Sequence, residues 1–174
     1  QLNAELKAEG TELHRIGLVG TTTIPHQVYL DFSAGFQGVE LVDITDEYED
    51  LRAYKSEWEV EQLKASAALC DKAYDEMLAA IKPGAYEFEV AAAGEAICRK
   101  NGAHSFAYSC IVGSGARAKA VVPTATNRQM QDGELVMIGI APRINGYAGT
   151  FGDTIPVNGV FTQRQKDLLN HMRE

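Results

Sequence analysis

The stretch ELVMIGIAPRINGYAGTFGDTIPVNG, residues 134–159, has the layout of a hairpin built to hold something. Two apolar runs flank Asn145-Gly146, a dipeptide suited to a two-residue turn because both positions tolerate positive φ. Such a turn fixes the register: Ile144 faces Tyr147, Ala141 faces Thr150 and Gly139 faces Gly152. Side chains alternate along a strand, so positions 139, 141, 143, 148, 150 and 152 share one face. Gly139 and Thr150 become diagonal neighbours there, close enough for two side chains to act on one group. That face reads Gly, Ala, Arg, Ala, Thr, Gly and carries no acid, histidine or cysteine. Asp153 is the nearest carboxylate, and it pairs with Ile138 on the opposite face.

Other reactive side chains are sparse. His104 stands just before an expected strand, where it could point towards the pocket or lie on the surface at a loop edge. Cys110 falls inside an apolar strand with no base evident, which favours a structural thiol over a nucleophile. Cys70 and Cys98 fall in helical patterns and belong to the core. GSGARAKA (113–120) is rich in glycine and basic residues, but lacks the strand, Gly-rich turn and Lys-Ser/Thr context of a phosphate loop. Arg128 is placed to anchor its loop through a carboxylate rather than to touch substrate.

The elements around the hairpin follow from pattern. RIGLVG (15–20) and VELVDI (39–44) read as buried strands, and residues 24–36 between them as a helix with Pro25 in its first turn. Strand, helix and strand in about 30 residues make a βαβ unit with a parallel pair. A domain boundary is placed near residue 53, inside the polar run 46–59, giving domains 1–53 and 54–174. Ser56 and Glu59 form a capping box ahead of a helical stripe of Val60, Leu63, Ala67, Cys70, Tyr74, Met77 and Ile81, ended by Pro83-Gly84. A second helix spans about Glu87 to Lys100 with Gly102 past its end, followed by a strand over 105–112, the glycine-bearing loop, the hairpin and a helix from Thr162 onward. A helical turn or two is expected over residues 2–9.

The order is that of an α+β half-module, three antiparallel strands with helices on one face. Its open sheet edge, and Leu168, Leu169 and Met172 with little to pack on, predict a chain that is incomplete at both ends or completed by a partner chain.

Composition narrows the class. The 174 residues are 45% hydrophobic and 23% charged, enough to bury a core. Sixteen basic against 24 acidic residues leave a formal charge of −8, which argues against a nucleic-acid partner and against docking on anionic lipid. No apolar run approaches the length of a bilayer span, and three unpaired cysteines fit a reducing compartment. A cytoplasmic location is expected.

Several of these stretches together resemble the creatinase, prolidase and aminopeptidase P family, the pita-bread hydrolases. They are RAYKSEWEVEQLKASAALCDKAYDEMLAAIKPGAYEFEVAA, IVGSG, TNRQMQDGELV and INGYAGTFGDTIPVNG, in order and at family spacing, preceded by RIGLVGTTTIPHQVYLDF. The resemblance implies the end of a βαβ N-terminal domain followed by the first half of a pita-bread domain, a homodimer, and a small-molecule or short-peptide substrate. Most members hydrolyse a C–N bond with two divalent metals such as Mn, Co or Zn, held by carboxylates and histidine around a bridging hydroxide.

Carried over residue by residue, the family's first aspartate falls at Gly139 and its second at Thr150. Its loop histidine falls at Val122 and an arginine at Asp153. No metal ligand set and no cofactor are therefore expected in this half. The catalytic groups stay unassigned, and the pocket candidates are His104, Val122, Gly139, Ala141, Tyr147 and Thr150. Creatinase works without metal in the same fold, but its acid/base histidine also falls at Val122, and valine transfers no proton. Three readings follow. The first is a metal-independent hydrolase acting on a C–N bond of a small polar substrate. The second is a catalytically silent binding module, and the third an Xaa-Pro-type metallopeptidase whose ligands are misaligned or mutated.

Overall fold

The structure, a computed structural model, describes Glu5 and residues 12–171. Apart from Glu5, the turn expected over residues 2–9 lies outside the described residues, as does Met172. The chain divides into two compact units, Gln1–Lys55 and Ser56–Glu174.

In the first unit, β1 (Arg15–Leu18) and β2 (Glu40–Asp43) pair in parallel, Arg15 opposite Glu40 and Leu18 opposite Asp43. The crossover is α1 (His26–Gly35), whose N-cap is Pro25. A further helix, α2 (Thr45–Ala53), occupies part of the run that reads as a polar linker. No α2 residue is buried, so it carries no apolar stripe to betray it. Asp46 and Glu47 in its first turn and Arg52 in its last complement the helix dipole instead.

The second unit begins with α3 (Glu57–Ala80), and its capping box is formed: the Ser56 backbone N–H donates to Glu59 Oε2 at 2.7 Å, and Ser56 Oγ accepts from the Glu59 N–H at 3.4 Å. The buried seam of α3 runs through Ser66, Leu69, Cys70, Ala73 and Met77. This differs from the expected stripe, because Ala67 is exposed and Val60 is 37% exposed. The observed seam keeps Cys70 and Met77 of the expected stripe and is rotated towards Ser66, Leu69 and Ala73. Next comes α4 (Glu87–Lys100), whose Gly94 lies against Met77: a Cβ there would stand 2.7 Å from the Met77 Cγ and Sδ, so glycine permits the close approach. Gly102, at φ 99°, follows the helix end.

The strand expected over 105–112 is two strands with different partners. β3 (Ser105–Phe106) pairs with β6 (Pro142–Ile144), and β4 (Ile111–Ser114) pairs with β5 (Leu135–Ile140). A 3-10 turn over Gly115–Lys119 follows β4. The hairpin is completed by β7 (Tyr147–Ala148) and β8 (Phe151–Pro156), giving two three-stranded sheets in the orders β3-β6-β7 and β4-β5-β8. The turn sets the register expected of it: Ile144 faces Tyr147, Gly139 faces Gly152 and Ile138 faces Asp153. The ladder breaks at Ala141 and at Gly149-Thr150, where an unbroken pairing was expected. The cause is α3. Ser66 Oγ donates to the Pro142 carbonyl at 2.6 Å and accepts the Gly149 N–H at 2.9 Å. A Cβ on Gly149 would lie 2.7 Å from the Ala67 nitrogen. Pro142 supplies no N–H, and the hairpin there bonds to a helix rather than to itself.

Leu69, Met77, Val90, Val112, Met130, Val136, Ile138 and Ile140 form the core between the helix pair and the inner face of β4-β5-β8. The last helix, α5 (Gln163–His171), leaves Leu168 58% exposed. None of the helices among the described residues is long and apolar enough to cross a membrane.

Candidate functional site

The outer face of β4-β5-β8 floors an open cleft of about 550 Å³, walled by Tyr108, Val121 and Leu169. Gly139 lies in the central strand, with Ile111 of β4 opposite it on one side and Gly152 of β8 on the other. A Cβ on Gly139 would meet the Phe151 carbonyl oxygen at 3.0 Å and Ile111 carbons at 3.5 and 3.6 Å. A side chain at 139 would therefore sit tightly against a backbone carbonyl oxygen and beside the Ile111 side chain.

Thr150 lines the cleft, and its hydroxyl is 2.5 Å from the Tyr108 hydroxyl. The other expected positions scatter. Val122 is 55% exposed, one residue beyond the cleft-lining Val121. Ala141 is buried at the ladder break. Tyr147 turns to the start of α3, its hydroxyl donating to Glu59 Oε1 at 2.8 Å and its ring edge-on to Trp58. His104 is exposed ahead of β3 and does not line the cleft. Arg143 faces Ser105 and Ala148 and is likewise not among the lining residues. Of the expected positions Thr150 lines the cleft, Gly139 lies in its central strand beside Ile111 and Gly152, and His104, Ala141 and Tyr147 lie elsewhere.

Asp153 is the carboxylate nearest the floor, and it is engaged. It accepts from the Tyr74 hydroxyl at 3.0 Å and from the Thr154 N–H at 2.7 Å. Tyr74 also packs edge-on against Phe151, so alternate residues of β8 turn towards α3. Burial, then the hydrogen bond and charge of Asp153, push the Tyr74 phenol up. Among the described residues no three His, Cys, Asp or Glu side chains come together in a way that could hold a metal ion. Gly139 and Val122 offer no donor, and Thr150 offers a neutral oxygen already shared with Tyr108. These residues do not fit the two divalent ions that the family resemblance implies.

What shapes the cleft rim is a buried carboxylate. Glu87, on the first turn of α4, has no exposed surface. Its Oε1 accepts from the N–H and hydroxyl of Ser114, both at 2.8 Å. Oε2 accepts from the Thr126 N–H at 3.1 Å, the Thr126 hydroxyl at 2.6 Å and Arg117 Nε at 3.2 Å. Burial pushes this carboxyl up, but the hydrogen bonds from Thr126 and Ser114, with the Arg117 charge, outweigh it and hold it below the ordinary value. Ser114 Oγ passes the network on by accepting from Arg128 Nη1 at 2.6 Å, and Arg128 makes a two-pronged pair with Glu134 at 2.6 and 2.8 Å. Two acids and two guanidinium groups balance, and together they fix both ends of the loop that carries Val121 and Val122.

Arg128 is the anchor that its position in the sequence implies. Tyr108 and Glu87 were not among the candidates. Glu87 was detectable, since an acid in register with Val90, Ala91, Gly94 and Cys98 on a buried helical face must find donors. Tyr108 gives no such signal in SFAYSC.

A helix pair backing a bent antiparallel sheet, with a cleft on the opposite face, defines one half of a pita-bread hydrolase domain. The comparisons agree. The chain matches the prolidase from Pyrococcus furiosus with a TM-score of 0.85 at 26% identity, over 98% of this chain and 49% of that one. It matches the X-Pro aminopeptidase from Thermotoga maritima with a TM-score of 0.86 at 23% identity, over 97% and 46%. In sequence it is 29% identical over 134 residues to the Xaa-Pro aminopeptidase of Escherichia coli, covering 77% of this chain and 30% of that protein. The chain belongs to metallopeptidase family M24, whose model matches residues 61–174. It spans less than half the length of the relatives named here.

Proposed function

We propose that this chain is part of a hydrolase that cleaves a C–N bond of a small polar, peptide-like substrate without a metal pair. The observation that carries the reading is the donor set: glycine at 139, and at 150 a threonine whose hydroxyl is shared with Tyr108. Relatives named as Xaa-Pro peptidases support peptide-type amide chemistry. Amide hydrolysis needs a general base for water and an acid for the leaving nitrogen. Among the described residues the cleft lining supplies neither in free form, so we place both groups in segments corresponding to the unmatched remainder of the relatives. On the same family grounds the protein is a homodimer, and its acidic composition with unpaired cysteines fits the cytoplasm.

A second reading, a catalytically silent binding module, rests on one fact. Among the described residues the two ionisable residues that line the cleft are both engaged, Tyr108 with Thr150 and Asp153 with Tyr74 of α3. The test is hydrolysis of Xaa-Pro dipeptides and of creatine by protein stripped with chelator, with metal content read by elemental analysis. Turnover that persists after stripping supports the metal-free hydrolase. Turnover abolished by stripping and restored by manganese or cobalt overturns it, and no turnover under any condition leaves the binding module.

A further inference from the structure

We propose that Asn145 is a site of spontaneous covalent change. It converts to aspartate and isoaspartate faster than the asparagines of the other Asn-Gly pairs, and the change loosens the turn of the hairpin. The reaction is separate from the hydrolysis proposed above and needs no substrate.

The chain has three Asn-Gly pairs, at 101–102, 145–146 and 158–159. In such a pair the glycine nitrogen, once hydroxide has taken its proton, attacks the asparagine Cγ and closes a five-membered imide. The Cγ–Nδ2 bond breaks, and Nδ2 takes a proton from water and leaves as ammonia. A second water opens the ring. If it cleaves the bond to Cγ the product is aspartate; if it cleaves the bond to the main-chain carbon the product is isoaspartate, whose chain runs on through Cβ and Cγ. One water is consumed and one ammonia released, with no oxidant or reductant. Glycine permits the attack because no Cβ restricts its backbone.

All three pairs are exposed, so access does not separate them. Hydrogen bonding does. Gly102 donates its N–H to the Arg99 carbonyl at 3.2 Å, and Asn101 donates from Nδ2 to the Ile97 carbonyl and accepts at Oδ1 from Lys72 Nζ, both at 2.9 Å. Gly159 donates its N–H to the Pro156 carbonyl at 2.9 Å. Asn158 donates from Nδ2 to Asp132 Oδ1 at 2.7 Å and accepts the Val160 N–H at Oδ1 at 3.1 Å. At both places the attacking nitrogen, the attacked carbonyl and the leaving nitrogen are all held. At 145–146, among the described residues, only the leaving nitrogen is held, by a bond from Nδ2 to Gln62 Oε1 at 2.8 Å.

Ring closure requires the turn to open. Asn145 lies in the left-handed region, at φ 50°, where the next nitrogen and Cβ stand on opposite sides of the Cα–C bond. Opposing that opening are two ladder pairs, Arg143 with Ala148 and Ile144 with Tyr147, and the Gln62 bond.

The products do not fit the turn they arise in. Each replaces the Nδ2 donor by a carboxylate oxygen, which offers Gln62 Oε1 nothing. Gln62 then has to turn its amide over and release the Trp58 carbonyl, to which its Nε2 donates at 3.3 Å. Isoaspartate also adds a methylene to the main chain of a two-residue loop, whose length sets the pairing of β6 with β7.

The test is ageing of the purified protein at mildly alkaline pH, with each Asn-Gly peptide followed by mass spectrometry and isoaspartate by enzymatic methyl transfer. Asn145 is expected to convert about tenfold faster than Asn101 or Asn158, the effect of one hydrogen bond on the attacking nitrogen. In urea-unfolded protein the three rates are expected to converge. Gln62→Ala is expected to speed conversion at Asn145 alone. Aged native protein is expected to exchange amide hydrogens over residues 142–149 faster than equally aged Asn145→Gln, and thermal melts confirm that both variants fold. Equal rates at the three sites of the folded protein, a lead by Asn101 or Asn158, or a lead by Asn145 that persists in urea overturns the selectivity. Unchanged conversion in Gln62→Ala, or unchanged exchange after ageing, overturns the part given to the turn.

Discussion

Replacing Glu87 by glutamine tests whether the loop over the cleft is held by a buried charge. The side chain keeps its size, so packing in α4 is undisturbed, but one acceptor oxygen becomes a donor. If the amide nitrogen takes the Oε1 position it faces the Ser114 N–H, and if it takes the Oε2 position it faces the Thr126 N–H and Arg117 Nε. Hydroxyls can rotate to accept from it, whereas backbone N–H groups cannot. Either orientation therefore leaves at least one backbone donor unmatched and removes the anion opposite Arg117. A hydrogen bond to a charged group contributes roughly 1.5–3 kcal/mol, and breaking a buried ion pair costs roughly 3–5 kcal/mol. Because Arg117 stays about one-third exposed, the lower end applies, and Glu87→Gln is expected to cost about 3 kcal/mol at pH 7.

The pH dependence has a definite sign. The folded carboxyl titrates below its ordinary 4.5, so its contribution is complete above that value. As pH falls below it, the unfolded chain takes up the proton first and the advantage of the native residue shrinks. Once pH passes the folded value the protonated glutamic acid behaves like the glutamine, and the two proteins converge. Urea unfolding at a series of pH values reads the gap, and hydrogen exchange over residues 114–128 reads the loop. A cost under about 1 kcal/mol at neutral pH, or a gap that does not close on acidification, would refute the role assigned to Glu87.

Gly149→Ala places a methyl 2.7–2.8 Å from backbone atoms of Ser66 and Ala67, which cannot move independently, and is expected to cost about 3 kcal/mol. Gly94→Ala meets side-chain atoms alone, the Met77 Cγ and Sδ and more loosely Ile140, which can repack, and is expected to cost about 1 kcal/mol; equal costs in urea unfolding would contradict the helix clamp on the hairpin. Burial pushes the Cys110 thiol up to about 12, and the Cys70 and Cys98 thiols to about 11. Ellman's reagent at pH 8 is expected to label none of the three until denaturant is added, and a fast phase in the native protein counts against their burial.

The hairpin shows where sequence carries structure and where it stops. Asn145, at φ 50°, and Gly146, at φ 89°, force the turn locally, so the pairings out to Ile138 and Asp153 were readable from two residues. The capping box at Ser56 was readable for the same reason, since its partners lie three residues apart. The break at Ala141 and Gly149 was not, because its cause is a helix some 80 positions earlier: the Ser66 hydroxyl reaches the Pro142 carbonyl across a separation of 76 residues. The same limit hid Tyr108, whose significance lies in a contact 42 residues away.

Local signals also explain how the floor of this cleft lacks ligands while its walls are well determined. The positions matching the family's aspartates lie on the outer face of β5 and after β7, whereas the bonds that set the shape lie elsewhere. The ladder of β4, β5 and β8 fixes the floor, the Ser66 clamp fixes the bend, and the Glu87 network fixes the rim loop. None of these uses a side chain at position 139 or 150. The ladder, the clamp and the rim network therefore do not use the side chains at those two positions, and glycine and threonine there change the chemistry on offer without removing any of those bonds. It follows that substitutions at Ser66 or Glu87 should alter the cleft's shape and stability together, whereas Thr150→Val should alter recognition alone. A Thr150→Val protein that lost stability as Glu87→Gln does would show that the site and its scaffold are one network after all.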